Sequence, residues 1–194
     1  MIQRMFDRLC GGGESGGDLI ETAGDRRLAD LVLSIPVPLR TPLATRAPGV
    51  LTTASVFRQM LASARRSIKI FSPYVDPTFT SLAEDTQAPI QVVTTLRETR
   101  MRSSPVLERF ATTHPLSVRY LHEKQARAQM FQLHAKMILV DSTSAYVGSA
   151  NFTDTSLHYN FELGLYLEDP GILGRLHAVF DYIFDVAARP AAQL

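Results

Sequence analysis

From residue 67 onward, short apolar runs rich in β-branched residues alternate with stretches of helical spacing, and this alternation is the strongest constraint on the fold. The runs are SIKIFSPYV (67–75), IQVVTTL (90–96), LSVRYL (116–121), LHAKMILVD (133–141), AYVGS (145–149) and ELGLYLE (162–168). Each has the length and residue type of a strand. LHAKMILVD and AYVGS are close enough to pair as a hairpin. TTASVFRQMLASARR (52–66) precedes them and predicts a helix with Val56, Met60 and Leu61 inward. A short helical turn is expected in PTFTSLAED. SSPVLERFATT (103–113) opens with Ser before Pro, a helix-start signal. PGILGRLHAVFDYIFDVA (170–187) closes the chain with Leu173, Leu176, Val179, Phe180 and Ile183 along one stripe. Strands interleaved with helices predict a mixed α/β fold, a largely central β-sheet flanked by helices. Phe71, Phe110, Phe152, Phe161 and Phe180 read as core.

Residues 1–50 read differently, as an N-terminal helical and proline-rich extension. GGGESGG (11–17) is a break. Leu28, Leu31, Val32 and Ile35 fall at helical spacing, which predicts a helix over 21–36 that packs on the main domain. The proline-rich stretch 36–49 reads as an extended connector.

The 194 residues suffice for one sizeable core, and the formal net charge of +1 selects no partner. The distribution is more informative. Residues 97–136 carry eight Lys/Arg against three acids, whereas 137–194 carry two against seven. The asymmetry marks one basic region and an acidic remainder, and from charge alone a mixed solvated surface is the favoured reading. Cys10 is the sole cysteine, so no internal disulfide framework is expected. The first residues lack a signal-type apolar stretch, and no run approaches the ~20 apolar residues of a membrane span. These features predict a cytoplasmic protein without a membrane partner.

Chemistry concentrates in LHAKMILVDSTSAYVGSANFTDTSLHYNFE (133–162). His134 and Lys136, two apart on a strand, point to the same side. The ammonium favours the neutral imidazole, the form able to attack, and binds the oxygens of an anionic phosphate. Gly148-Ser149-Ala150-Asn151 makes a turn whose side chains and N–H groups can serve the same oxyanion. Glu162 is placed to accept the second ring N–H of a histidine and fix its tautomer.

His134, Lys136, Asp141, Gly148, Ser149 and Asn151 together resemble the signature of the phospholipase D superfamily: His-x-Lys, four residues, Asp, six residues, Gly-Ser-x-Asn. No position departs from it. Glu162 sits where the family's short nucleases have their histidine-orienting glutamate. The resemblance implies that residues 51–194 form a phospholipase D-like catalytic domain. It implies a catalytic set of His134, Lys136, Ser149, Asn151 and Glu162, with His134 the nucleophile of a phosphohistidine intermediate. Asp141 and Gly148 are expected to support the site structurally. No metal or cofactor is expected.

The family's chemistry uses two histidines, one attacking and one protonating the leaving group. This chain has one motif. His122-Glu123-Lys124 imitates its opening, but Gln129 stands where Asp is required. The resemblance therefore implies a two-fold homodimer with both motifs facing the axis. Arg97, Arg100 and Arg102 follow a strand, and Lys124 and Arg127 precede the motif; these five are expected to contact a nucleic-acid backbone.

The leading functional expectation is a metal-independent endonuclease on DNA or RNA. Small members of this kind in bacteria resemble parts of restriction or phage-defence systems, with a helicase or translocase a conceivable partner for residues 1–50. The alternatives are a lipid phosphodiesterase of the phospholipase D type and a catalytically silent nucleic-acid-binding subunit.

Overall fold

A computed structural model describes residues 29–36, 39, 46–95, 103–123 and 131–187. The chain forms β1 (Ala29–Ser34), β2 (Leu51–Thr52), α1 (Thr53–Ser63), β3 (Ile68–Phe71), α2 (Pro77–Ala83), β4 (Ile90–Thr94) and α3 (Ser103–Phe110). It continues through β5 (Leu116–Tyr120), β6 (His122–Glu123), β7 (Phe131–Gln132), β8 (Lys136–Val140) and β9 (Ser144–Gly148). A π-helical turn (Thr155–Tyr159), β10 (Glu162–Leu167) and α4 (Pro170–Val186) complete it.

Eight strands make one mixed sheet in the order β2-β1-β10-β9-β8-β3-β4-β5. β3, β4 and β5 are parallel, joined by helical crossovers. β8, β9 and β10 form an antiparallel meander that meets β3 on one side. β6 and β7 pair separately as a short antiparallel ribbon. The fold is the mixed α/β architecture expected, with the β8–β9 hairpin in place.

Side-chain alternation sorts the residues onto two faces. One face carries Val32, Ile68, Ile70, Ile90, Val92, Ile138 and Tyr146 and packs against Val56, Phe57, Met60 and Leu61 of α1 and Phe79 of α2. The other carries Phe71, Val93, Met137 and Leu139 and packs against Leu173, Phe180 and Phe184 of α4. The helix starts are locally encoded. Asp76 and Asp169 each cap a helix through a side-chain oxygen, and a proline follows each at the first helical position.

Three readings need correction. The helix expected over 21–36 is a strand across 29–34, paired antiparallel with β10 from Ala29↔Leu167 to Ser34↔Glu162. Val32, Leu33 and Ser34 are all buried while Leu31 is 40% exposed, which is no helical stripe. Leu28 and most of the proline-rich stretch lie outside the described residues. Val179 is not on the inward stripe of α4 but exposed, and Phe184 and Ala187 extend that stripe instead. Phe161 is 57% exposed, whereas the other four phenylalanines expected in the core are buried. Among the described residues no helix is long and apolar enough to cross a membrane.

Candidate active site

The register places the motif at one edge of the sheet. Lys136 begins β8 and lies opposite Gly148, the last residue of β9; Gly148 lies opposite Gly164, two residues into β10. β3 and β4 end at this same edge, because Phe71 pairs with both Met137 and Val93. The carboxyl ends of parallel strands are where α/β sheets present ligand sites.

His134 precedes the strand and is exposed; Lys136 is 8% exposed. Lys136 Nζ donates to the backbone oxygen of His134 at 2.8 Å and lies 3.2 Å from Nδ1 and 3.4 Å from Nε2 of its ring. An ammonium has no lone pair, so this contact is a hydrogen bond only to an unprotonated ring nitrogen. Burial pushes the Lys136 ammonium below the usual lysine range, and the Glu162 charge acts in the opposite direction.

Glu162 binds Ser149 rather than His134. Ser149 Oγ donates to Glu162 Oε2 at 2.5 Å and accepts from the Leu163 amide at 3.1 Å. Asn160 Nδ2 donates to Glu162 Oε1 at 3.1 Å. Asn160 is itself set by the π-helical turn, its amide donating to the Thr155 carbonyl at 2.8 Å. The carboxylate therefore stands among Ser149, Asn160 and the Lys136 charge, and the expected imidazole–Glu162 hydrogen bond is replaced by the imidazole–Lys136 contact.

Asn151 keeps a buried Oδ1 with no hydrogen-bond partner. Rotating the carboxamide by half a turn presents its NH₂ at the same place. A buried polar atom left unpaired costs free energy, and in the turned orientation the group would offer a donor.

The two structural residues divide their work. Asp141 lies at the far end of β8, with φ of 52°. Its Oδ1 accepts from the Arg66 and Ser67 amides, each at 2.8 Å, and its Oδ2 from the Arg65 amide at 3.1 Å. Burial alone would raise its carboxyl; the three amide donors and the Arg66 charge outweigh it, and the net displacement is downward. Asp141 thus ties β8 to the turn between α1 and β3. Gly148 acts by absence: a Cβ there would run into Tyr146 Oη and the β10 backbone, and one on Gly164 would meet the Tyr146 ring. The two glycines make the slot for Tyr146, whose Oη accepts from the Ala150 amide at 3.3 Å. Burial raises the Tyr146 phenol to about 12.

Sequence reasoning missed a second support. Ser72 Oγ accepts from the Phe152 amide at 3.2 Å and donates to the Tyr74 carbonyl at 2.7 Å. Asp76 Oδ2 accepts from the Asp154 amide at 2.8 Å, while the Asp76 amide donates to the Phe152 carbonyl at 3.0 Å. Asn151 is thereby held from the end of β3. The contact between Asp76 and Asp154, 78 residues apart, leaves no local signal. Arg97, Arg100, Arg102, Lys124 and Arg127 lie outside the described residues. The first three follow β4, which ends at the edge bearing Lys136, and the last two fall between β6 and β7.

Residues 57–184 match the family described as "Cardiolipin synthase, PLD-like domain". The chain belongs to the phospholipase D-like superfamily. As a member of it, this chain has a single motif, and the activity class supported at family level is a phosphodiesterase. It is similar to cardiolipin synthase A of Pseudomonas aeruginosa, 30% identical over 69% of this chain and 27% of that protein. It is also similar to cardiolipin synthase 2 of Bacillus cereus, 29% identical over 64% of this chain and 24% of that protein. The matched region spans about a quarter of these curated relatives. Among solved structures of the phospholipase D-like fold, NucT from Helicobacter pylori superposes with a TM-score of 0.62 at 14% identity, covering 84% of this chain and 99% of that one. Nuc from Salmonella typhimurium, a phospholipase D family member, gives 0.61 at 16% identity, covering 84% and 97%.

Proposed function

We propose that the protein is an endonuclease that cleaves phosphodiesters of DNA or RNA without a metal, through a phosphohistidine on His134, in a site completed by a second copy of the chain. The observation that carries this reading is the Lys136 ammonium against the His134 imidazole, beside the unpaired Asn151 carboxamide. A ring nitrogen of His134 attacks phosphorus while Lys136 and Asn151 take the non-bridging oxygens. The bond from phosphorus to the leaving oxygen breaks, and that oxygen takes a proton from the second copy's imidazolium. The imidazole so formed deprotonates a water, which hydrolyses the phosphohistidine and frees His134. The basic character of residues 97–136 supports a polyanionic substrate.

The test is plasmid DNA and single-stranded RNA in EDTA with wild type and His134→Ala. Wild type is expected to cut at least one, and the variant neither. Equal cutting by both removes His134 as nucleophile.

A second reading, phosphodiester exchange on a phospholipid headgroup, is favoured by the family description and by the named relatives. The same histidine and lysine would serve. Phosphatidylglycerol vesicles converted in a His134-dependent way, with nucleic acid left intact, would establish it.

A further inference from the structure

A cavity of about 380 Å³ lies beside the motif edge, within the ~300–1,000 Å³ typical of small-ligand pockets. Among the described residues its wall is largely apolar, with Ile35, Val50, Ala54 and Leu157, and the polar side chains of Ser34 and His158 interrupt it. The register fixes where it stands. Ser34 ends β1 and lies opposite Glu162, which begins β10. Opposed residues of an antiparallel pair point to the same face, their Cβ atoms ~5 Å apart. Lys136, Gly148, Gly164 and Val32 follow one another across β8, β9, β10 and β1. Lys136, Glu162 and Ser34 therefore share the face of the sheet that α1 covers. Three strand spacings, ~14 Å, separate β8 from β1. Ser34 is 2% exposed and its Oγ has no hydrogen-bond partner. A buried hydroxyl in that state costs free energy, and turning its χ1 toward the cavity breaks no hydrogen bond. His158 comes from the π-helical turn; its side chain is 44% exposed, which puts it at the rim.

We propose, resting on the nuclease reading of the motif, that this cavity takes one unpaired nucleobase of the strand being cut, from a nucleotide close to the scissile phosphate. A base has two apolar faces and a polar edge. The cavity offers apolar side chains for the ring, and Ser34 and His158 for donors and acceptors on the edge. An acyl chain would fill the apolar part but leave the Ser34 hydroxyl buried against hydrocarbon, at a cost. A base stacked in a duplex cannot enter a closed pocket, so the nucleotide held here is unstacked. The phosphate then lies on Lys136 while the base is held on the β1 side of Glu162, with the backbone running across the two glycines between them.

The experiment measures binding and cutting separately on the full chain. Binding uses the His134→Ala protein, fluorescence anisotropy, and a short single-stranded thymidine oligonucleotide against the same strand made abasic. The base-bearing strand is expected to bind on the order of 10-fold tighter or more, the contribution of one base held on its faces. Ala54→Leu fills the cavity with a residue that suits a helix, and His158→Ala clears the rim. Each, added to His134→Ala, is expected to remove most of the preference, with circular dichroism as the folding control. Equal binding of the two strands, or a preference unchanged in both folded variants, overturns the proposal. Wild type is then assayed for cleavage of the thymidine strand. A base preference that filling the cavity removes, with no cleavage, leaves the subsite standing and removes the nuclease reading. His134-dependent cleavage without a base preference removes the subsite alone. Phosphatidylglycerol vesicles converted by wild type and more slowly by Ala54→Leu, with neither strand bound, assign the cavity to an acyl chain and overturn the proposal.

Discussion

The ammonium of Lys136 is anchored to the backbone carbonyl of His134 and at the same time touches the ring of that residue, 3.2 Å from Nδ1. In the proposed mechanism this anchor keeps the charge in place while the ring attacks, and a partly buried cation acts more strongly on a phosphate than a solvated one would.

That burial has a consequence for stability against pH. The folded-state value of Lys136 lies below its ordinary 10.5. Between the lowered value and 10.5 the unfolded chain holds more protons, so this residue makes stability rise with pH there. Lys136→Met removes the contribution. Urea midpoints of the two proteins should shift in favour of wild type as pH climbs toward 10.5; a constant difference would show that the burial cost is absent.

Asp141 has the opposite sign. Its folded-state value lies below the ordinary 3.8, so its contribution is complete above about that pH and fades as the pH falls through the folded value. Asp141→Asn should cost about 2–3 kcal/mol at pH 7, the loss of charged acceptance from three backbone amides. The gap should narrow in acid, as urea unfolding at pH 7 and pH 3 would reveal.

Asn151 separates function from stability. Its Oδ1 has no partner in the free protein. Asn151→Ala should therefore leave the urea midpoint within about 0.5 kcal/mol of wild type. Cleavage should drop about 10²–10³-fold, as when one oxyanion donor is removed. A large loss of stability would place Asn151 among the structural residues.

Gly164→Ala tests the slot for Tyr146. The three atoms nearest the new Cβ all belong to the Tyr146 side chain. The substitution should cost about 1–3 kcal/mol as overpacking. In a Tyr146→Leu background the added cost should largely vanish, and a double-mutant cycle by urea unfolding measures the coupling. Additive effects would mean that the ring is not the obstacle.

The arrangement of the motif was legible because a strand–turn–strand unit is local. Lys136 and Gly148 face each other in a hairpin whose register is set by its own few residues. The helices were legible through their caps and apolar stripes. β1 was not, because Leu28, Leu31, Val32 and Ile35 also satisfy a helical period. What decides between the two periods is β10, more than 120 residues away, which offers unpaired backbone groups to Ala29–Ser34. Phe161 was assigned to the core by residue type and Val179 by the stripe of α4, yet both are more than half exposed, because exposure is set by which element packs against a residue.

By itself, then, the amino-acid order determined the motif's residues and the strand–turn–strand unit that holds them, since spacing along a strand and turn preference are short-range properties. Only the tertiary structure decided that Glu162 answers to Ser149 and Asn160, that Ser72 and Asp76 brace the Asn151 loop, and that Leu31, Leu163 and Leu165 stand exposed among the described residues. Those outcomes depend on hydrogen-bonding groups and apolar surface meeting across large sequence separations, and no local pattern records which of them meet.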